Sequence, residues 1–176
     1  NAGLVIIGLA PAAHGANRTG RMFTGDSSGN TLAGAMHRAD FANQPTSEHR
    51  GDGLDLRAAY LTAVARCAPP ANRPTASELE NCRPYLVGEL KLLQSARVVL
   101  ALGRIAFDGY VRLRREEGAS LSNVVFKHGA WYTFDPPLPA LVACYHPSRQ
   151  NTQTGRLTQA MLDQVFRRVR ILMGET

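Results

Sequence analysis

Four short apolar runs interrupt a chain whose remaining segments are polar or helical in pattern. Leu4–Ile7, Tyr60–Ala65, Val98–Leu102 and Leu141–Tyr145 read as buried strands. A strand covered on both faces has no solvent positions to alternate with, so it appears as a continuous apolar run. Helical patterns lie between and after these runs. Thr31–Ala39 is a short helix candidate, and Gly103–Arg115 a longer one. Thr75-Ala76-Ser77-Glu78 has the spacing of a capping box and opens a helix towards Gln94, with a disturbance expected at Pro84. At the C-terminal end, Leu157, Met161, Val165, Val169 and Leu172 recur at helical spacing, which predicts one core-facing stripe. Phe126–Phe134 reads as a short hairpin around His128-Gly129. Strands alternating with helices predict an α/β fold with three layers, α/β/α, around a four-stranded, mostly parallel central sheet.

The other segments are loops. Gly8–Gly29 is glycine-rich and aperiodic, Phe41–Asp55 is polar and turn-rich, and Pro69–Pro74 is stiffened by three prolines. A chain of 176 residues is expected to form one domain, residues 1–176, with a full core. The abrupt start, almost inside the first strand, predicts a segment upstream of Asn1. No apolar run approaches the ~20 residues of a membrane span. No signal peptide opens the chain. A net charge of +6 and a pI of about 9.7 favour an acidic partner, nucleic acid before membrane. Three cysteines are too few for a disulfide scaffold and fit a reducing compartment.

Ligands of open α/β sheets bind where strands end. Three polar loops leave strand ends here: Gly8–Asp26, Cys67–Arg73 and His146–Arg156. The last is the most informative. Pro147 stops strand pairing, so a histidine, His146, is delivered to a strand end with two arginines behind it. That arrangement suits the handling of an anion. In the first loop Gly15–Met22 echoes a phosphate loop, but Arg21-Met22 stands where Lys-Ser/Thr is required, so the reading fails. What remains is Phe23 and one acid, Asp26, which either serves the chemistry or caps the helix that follows. Cys67 and Cys82 do not complete a metal site by themselves, since one needs about four ligands. Cys144 lies within a core strand and reads as packing.

The stretches GLAPAAHGANRTGRMFTGD (Gly8–Asp26), LTAVARCAPPANRPT (Leu61–Thr75), VVLALGRIA (Val98–Ala106) and HPSRQNTQTGRLT (His146–Thr158) closely resemble the uracil-DNA glycosylase superfamily. The resemblance is to its family 5, the type B enzymes with an iron–sulfur cluster, and it covers essentially the whole chain. It implies an enzyme of base excision repair that flips a uracil or other damaged base from DNA and hydrolyses its N-glycosidic bond. It also implies roles. Phe23 stacks on the flipped base, while the backbone around Ala10–Ala13, with Ala12 and Ala13 at its end, and the side chain of Asn72 hold its edge. His146 stabilises the departing base anion, and Asp26 positions or polarises water. The loop from Arg149 to Thr154 enters the minor groove, with Ser148, Arg149, Gln150, Asn151 and Thr152 on the DNA. Arg18, Arg21, Arg149 and Arg156 offer phosphate contacts. DNA is the implied partner, double-stranded and in some cases single-stranded. A cytoplasmic, nucleoid-associated monomer is expected.

The sequence departs from the wider superfamily in two places. Ala12 and Ala13 stand where the classical enzymes carry Asp or Asn, and Thr62-Ala63-Val64 where family 4 has Thr-Asn-Val. Both departures fit family 5 and imply a looser base pocket. The family's 4Fe-4S cluster takes four Cys. Cys67 and Cys82 match the last two, and the first two are expected upstream. A strict uracil-only enzyme of family 4 and a catalytically silent binder of damaged or single-stranded DNA are the competing readings. The first is disfavoured by Ala63, the second by the retention of Asp26 and His146.

Overall fold

In the computed structural model, residues 1–174 are described. The central sheet is built from β1 (Leu4–Gly8), β2 (Ala59–Ala63), β3 (Val98–Leu102), β4 (Trp131–Tyr132) and β5 (Ala140–Cys144), in the order β2-β1-β3-β5-β4. The first four in that order are parallel, and β4 is antiparallel to β5. The helices are α1 (Ala16–Thr19), α2 (Ser27–Arg38), α3 (Ala76–Leu92), α4 (Arg104–Glu116), α5 (Arg149–Gln153) and α6 (Gln159–Leu172).

Alternation along each strand divides the core in two. Leu4, Ile6, Val98, Leu100 and Val142 face one side, where they pack with Leu32 and Met36 of α2 and Leu162, Val165, Phe166 and Val169 of α6. Val5, Ile7, Val99, Ala101 and Leu141 face the other, packing with Leu86 and Leu90 of α3 and Ala106, Phe107 and Tyr110 of α4. The three-layer α/β/α architecture is therefore the one the pattern predicts. The apolar stripe of α6 is broader than expected: Leu162, Phe166 and Met173 join it, while Met161 and Leu172 pack at its margin.

Three local expectations change. The sheet has a fifth strand, because Trp131-Tyr132 pairs with β5 rather than folding back on Phe126–His128. Ladder bonds from Gly129 N–H to the Ala143 carbonyl (2.8 Å) and from Ala143 N–H to the Ala130 carbonyl (2.9 Å) extend that pairing. The free edge of β5 offered buried backbone groups that needed partners, and the hairpin gave way to them. Helix α2 begins at Ser27, four residues before Thr31, because Asp26 caps it. Helix α3 opens on the expected Thr75–Glu78 capping box and runs continuously through Pro84.

Candidate active site

The carboxyl ends of β1 and β5 bring the first and last loops together. Phe23 and His146, 123 positions apart in sequence, meet with ring centroids 5.9 Å apart and planes tilted by 31°. Phe23 adopts φ 51°, a left-handed conformation unusual for an aromatic residue, and is buried. Its ring lies so close over the end of β1 that a Cβ at Gly8 would come within 2.6 Å of Cζ. Its carbonyl sits equally close to Gly29, where a Cβ would meet the oxygen at 2.3 Å. The glycines of this loop thus permit close approach around an aromatic ring in a strained backbone, a combination that marks functional sites.

Asp26 joins the same cluster. Its Oδ1 accepts the Gly29 N–H at 2.8 Å, so it is the N-cap of α2. Its Oδ2 lies against Gly15, where a Cβ would stand 2.4 Å away. The carboxylate is also near enough to His146 to act on it electrostatically. The cap and the site role are therefore compatible: capping fixes the carboxylate while its charge still reaches the imidazole. Burial holds the His146 pKa below the ordinary imidazole value, and the negative charge of Asp26 pulls weakly the other way. At neutral pH the imidazole is consequently uncharged, with one N–H to donate and no positive charge to bind a ligand indiscriminately.

Beside His146 a cavity of about 450 Å³ is lined by Leu102, Arg104, Lys127, Tyr145, Asn151 and Arg156, among others. Arg156 lies over the Tyr145 ring, its guanidinium carbon 4.7 Å from the centroid. The segment after His146 is not a bare loop. Ser148 caps the one-turn α5, accepting the Asn151 N–H at 3.3 Å. Asn151 Nδ2 donates to the His146 carbonyl at 2.9 Å, and the Thr152 hydroxyl donates to the Ser148 carbonyl at 3.2 Å. Ser148, Asn151 and Thr152 thus hold the loop and His146 in shape, while Arg149, Gln150 and Gln153 of α5 are exposed.

The remaining candidates divide. Arg18 is exposed on α1, its Nε donating to the His14 carbonyl at 3.1 Å. Ala13 is exposed, and the Ala12 carbonyl is used internally by Gly15 and Asn17. Asn72 is exposed and follows Ala71, both with left-handed φ (54° and 50°), at the end of the Pro70–Asn72 turn. Arg21 is engaged within the protein. Its guanidinium is spent inside the protein, on Asp52 Oδ2 at 2.8 Å, the Ser47 hydroxyl at 3.1 Å and the Thr24 hydroxyl at 2.8 Å. Thr24 and Ser47 are buried and hydrogen-bonded to each other at 2.8 Å. Arg21 is a strut between the first loop and the 41–55 loop.

Desolvation alone would raise the Asp52 pKa. Hydrogen bonds from the Leu54 N–H, from Arg21 and from the Glu48 and His49 N–H groups outweigh it and hold the carboxyl well below the usual carboxylate range. Because the folded pKa is depressed, this stabilisation is present above the unfolded value of about 4 and disappears as pH falls through the folded one. Arg21→Ala should lower the melting temperature at pH 7 by on the order of 5 °C. The difference from wild type should shrink below about pH 4. Equal melting curves at pH 7 would show that the strut carries no stability.

Cys82 Sγ accepts the amide N–H of Arg66 at 3.3 Å, one residue before Cys67, so the two cysteines belong to one corner of the β2–α3 unit, with Cys67 exposed. Among the described residues no group of three or more His, Cys, Asp or Glu is placed to hold a metal ion. Two thiols fall short of a four-thiolate cluster, and no step of the chemistry below depends on one. Cys144 is buried in β5 and its thiol pKa is pushed far up by desolvation, as packing predicts.

A family model described as the uracil DNA glycosylase superfamily matches residues 1–170. The chain belongs to that superfamily. Among curated proteins it is 47% identical over 172 residues to a "Type-5 uracil-DNA glycosylase" of Mycobacterium leprae, covering 97% of this chain and 74% of the relative. It is 48% identical to the Type-5 enzyme of Thermus thermophilus, covering 97% and 76%, and 43% identical to that of Pyrobaculum aerophilum, covering 96% and 71%. The chain spans 63% of the Mycobacterium tuberculosis relative, at 47% identity. A "Type-4 uracil-DNA glycosylase" of Pyrobaculum aerophilum is more distant, 32% identical over 69% of this chain. The superfamily resemblance carried by the strand-end motifs, and its type-5 branch, are thus shown. The residues that sequence reasoning missed are Gly8, Gly15 and Gly29, whose role is to let Phe23 and Asp26 pack closely, and Asp52 with Ser47, which brace the loop.

Proposed function

We propose that the chain removes uracil, and related damaged bases, from DNA and leaves an abasic site. The observation that carries the reading is the half-buried His146 set against Phe23 with the Asp26 carboxylate beside it, where two parallel strands end. A stacked base is out of reach of such a site, so it must be extruded at a cost of a few kcal/mol, offset by stacking on Phe23 and by α5 filling the vacated place. The C1′–N bond then breaks with its electron pair leaving on the base. Negative charge develops on the base carbonyl, where the neutral His146 donates a hydrogen bond without first losing a proton. Asp26, fixed by its cap, stabilises the cationic sugar and orients the water whose oxygen bonds to C1′. The proton released from that water ends on the base or in solvent. Ala12, Ala13 and Asn72 would meet the base edge, through backbone and side chain respectively.

Small residues at 12, 13 and 63 impose few exclusions, which favours a base range wider than uracil. DNA is the partner, with Arg18, Arg149 and Arg156 contacting phosphates, and such an enzyme works in the cytoplasm at the nucleoid. Cys67 and Cys82 are the thiols suited to a 4Fe-4S cluster, completed by two further thiolates. Its part would be to stiffen the loop bearing Asn72, since glycosidic hydrolysis transfers no electrons.

Duplexes carrying a single uracil, hypoxanthine or ethenocytosine, treated with the protein and then with hot alkali, test the reading. Scission is expected at uracil and at one or more of the others. Retention of the DNA in a gel with no scission at any base would instead favour a silent binder. Affinity should fall steeply with salt, about −0.9 in the log–log slope for each phosphate neutralised. Arg149→Ala should make that slope shallower by about one unit on every duplex. An unchanged slope would remove Arg149 from the DNA backbone.

A further inference from the structure

His128 lies outside the cluster described so far. It sits at the bend before β4, where the sequence suggested a hairpin tip. Its Nδ1 accepts the backbone N–H of Tyr145 at 3.1 Å. Its ring stacks on the Tyr145 ring, with centroids 4.8 Å apart and planes within 18°. Tyr145 is the residue between the last strand position, Cys144, and His146. On Tyr145 also lies the Arg156 guanidinium, and the Phe126 ring packs against it at 6.1 Å. The residue that carries His146 out of the sheet is therefore held by a side-chain acceptor on its amide and by stacking on its ring. Ordinary ladder pairing does not do this work: backbone bonds on the β4 side run as far as Ala143, and the next amide facing that side, that of Tyr145, goes to His128.

We propose that His128 is a positioning residue for His146. By accepting the Tyr145 N–H it sets the exit direction of β5, and with it the height of the imidazole above the strand ends and the place of Arg156 over Tyr145. The inference rests on the glycosylase reading for its catalytic consequence, though not for the bond itself. A histidine accepts at Nδ1 only when that nitrogen is unprotonated. Burial keeps the His128 pKa below the ordinary imidazole value. The charged groups near it are cationic. Arg156 lies across Tyr145, Lys127 precedes His128 in the chain, and Arg167 and Arg168 of α6 line the cavity that His128 borders, which contains no carboxylate. Acid should therefore break the bond: protonated Nδ1 becomes a donor facing another donor, and His146 loses its support.

Two variants separate acceptor from stack. His128→Asn keeps an acceptor oxygen on Cγ, in the place of Nδ1, and loses the aromatic face. His128→Phe keeps the aromatic face and loses the acceptor. Single-turnover base release at pH 8 should stay within about twofold of wild type for His128→Asn and drop by about tenfold or more for His128→Phe. In His128→Asn the decline of rate towards acid should be less steep, since one protonation that disables the site has been removed. Hydrogen exchange at the Tyr145 amide should be slow in wild type and His128→Asn and fast in His128→Phe. Equal rates and equal exchange in the two variants, or losses that only follow melting temperature, overturn the proposal. The exchange measurement needs no turnover. A wild type that releases no base would sink the glycosylase reading, and Tyr145 exchange would still decide the His128 bond.

Discussion

His146→Ala should slow base release by on the order of 10²–10³-fold while leaving DNA binding nearly unchanged. In the proposed mechanism the imidazole donates one hydrogen bond where negative charge appears in the transition state, and a preorganised donor of that kind is worth little before the bond breaks. The effect should therefore fall on the single-turnover rate rather than on the dissociation constant. The pH dependence has a definite sign. His146 is held uncharged by burial, so lowering the pH below its folded pKa protonates it at the cost of folded-state stability, because the unfolded chain takes up the proton first. Stability should rise with pH through the window between the folded value and about 6.5 for wild type, and less so for His146→Ala. A variant that releases base at the wild-type rate would take His146 out of the chemistry.

Asp26→Asn should also slow release, by about 10²-fold or more, with the fold intact. Asn is as good an N-cap as Asp, because its side-chain oxygen can still accept the Gly29 N–H. The substitution thus removes the charge near His146 and the incipient sugar cation, and little else. The two explanations for this residue give opposite outcomes. If Asp26 is only a cap, Asp26→Asn melts close to wild type and cleaves at the wild-type rate, and a drop in melting temperature with full activity per folded molecule would lead to the same conclusion. If it also acts on the reaction, the rate collapses while the melting curve stays.

These residues were legible because strand ends are legible. β1, β3 and β5 are buried on both faces, so each appears as an uninterrupted apolar run, and the first polar residues after it mark the site. His146 followed by Pro147, and Asp26 at the end of a glycine-rich loop, stand out for that reason. The parts that could not be read depend on pairings distant in sequence. Arg21 resembles any other loop arginine until Asp52, thirty-one positions on, closes upon it. The Phe126–Phe134 segment carries local hairpin character, yet the unpaired edge of β5 captures it. Asn151 lies in a loop with the composition of a DNA contact, and only its bond to the His146 carbonyl shows that it braces His146. The start of α2 was missed because Ser27-Ser28-Gly29-Asn30 has poor helix propensity, which the Asp26 cap overrides. Gly8 and Gly15 needed the Phe23 ring and the Asp26 carboxylate in place before their lack of a side chain acquired a meaning.

The central claim, that the Phe23–Asp26–His146 cluster hydrolyses a glycosidic bond, is tested most directly by identifying the products of one turnover. Excess protein should be mixed with a duplex containing one uracil and the mixture analysed by mass spectrometry without alkali. One free uracil per duplex and an unbroken strand lacking that base are predicted, with both products reduced in parallel by His146→Ala and Asp26→Asn. Duplex recovered with its uracil attached, although bound by the protein, would contradict the account.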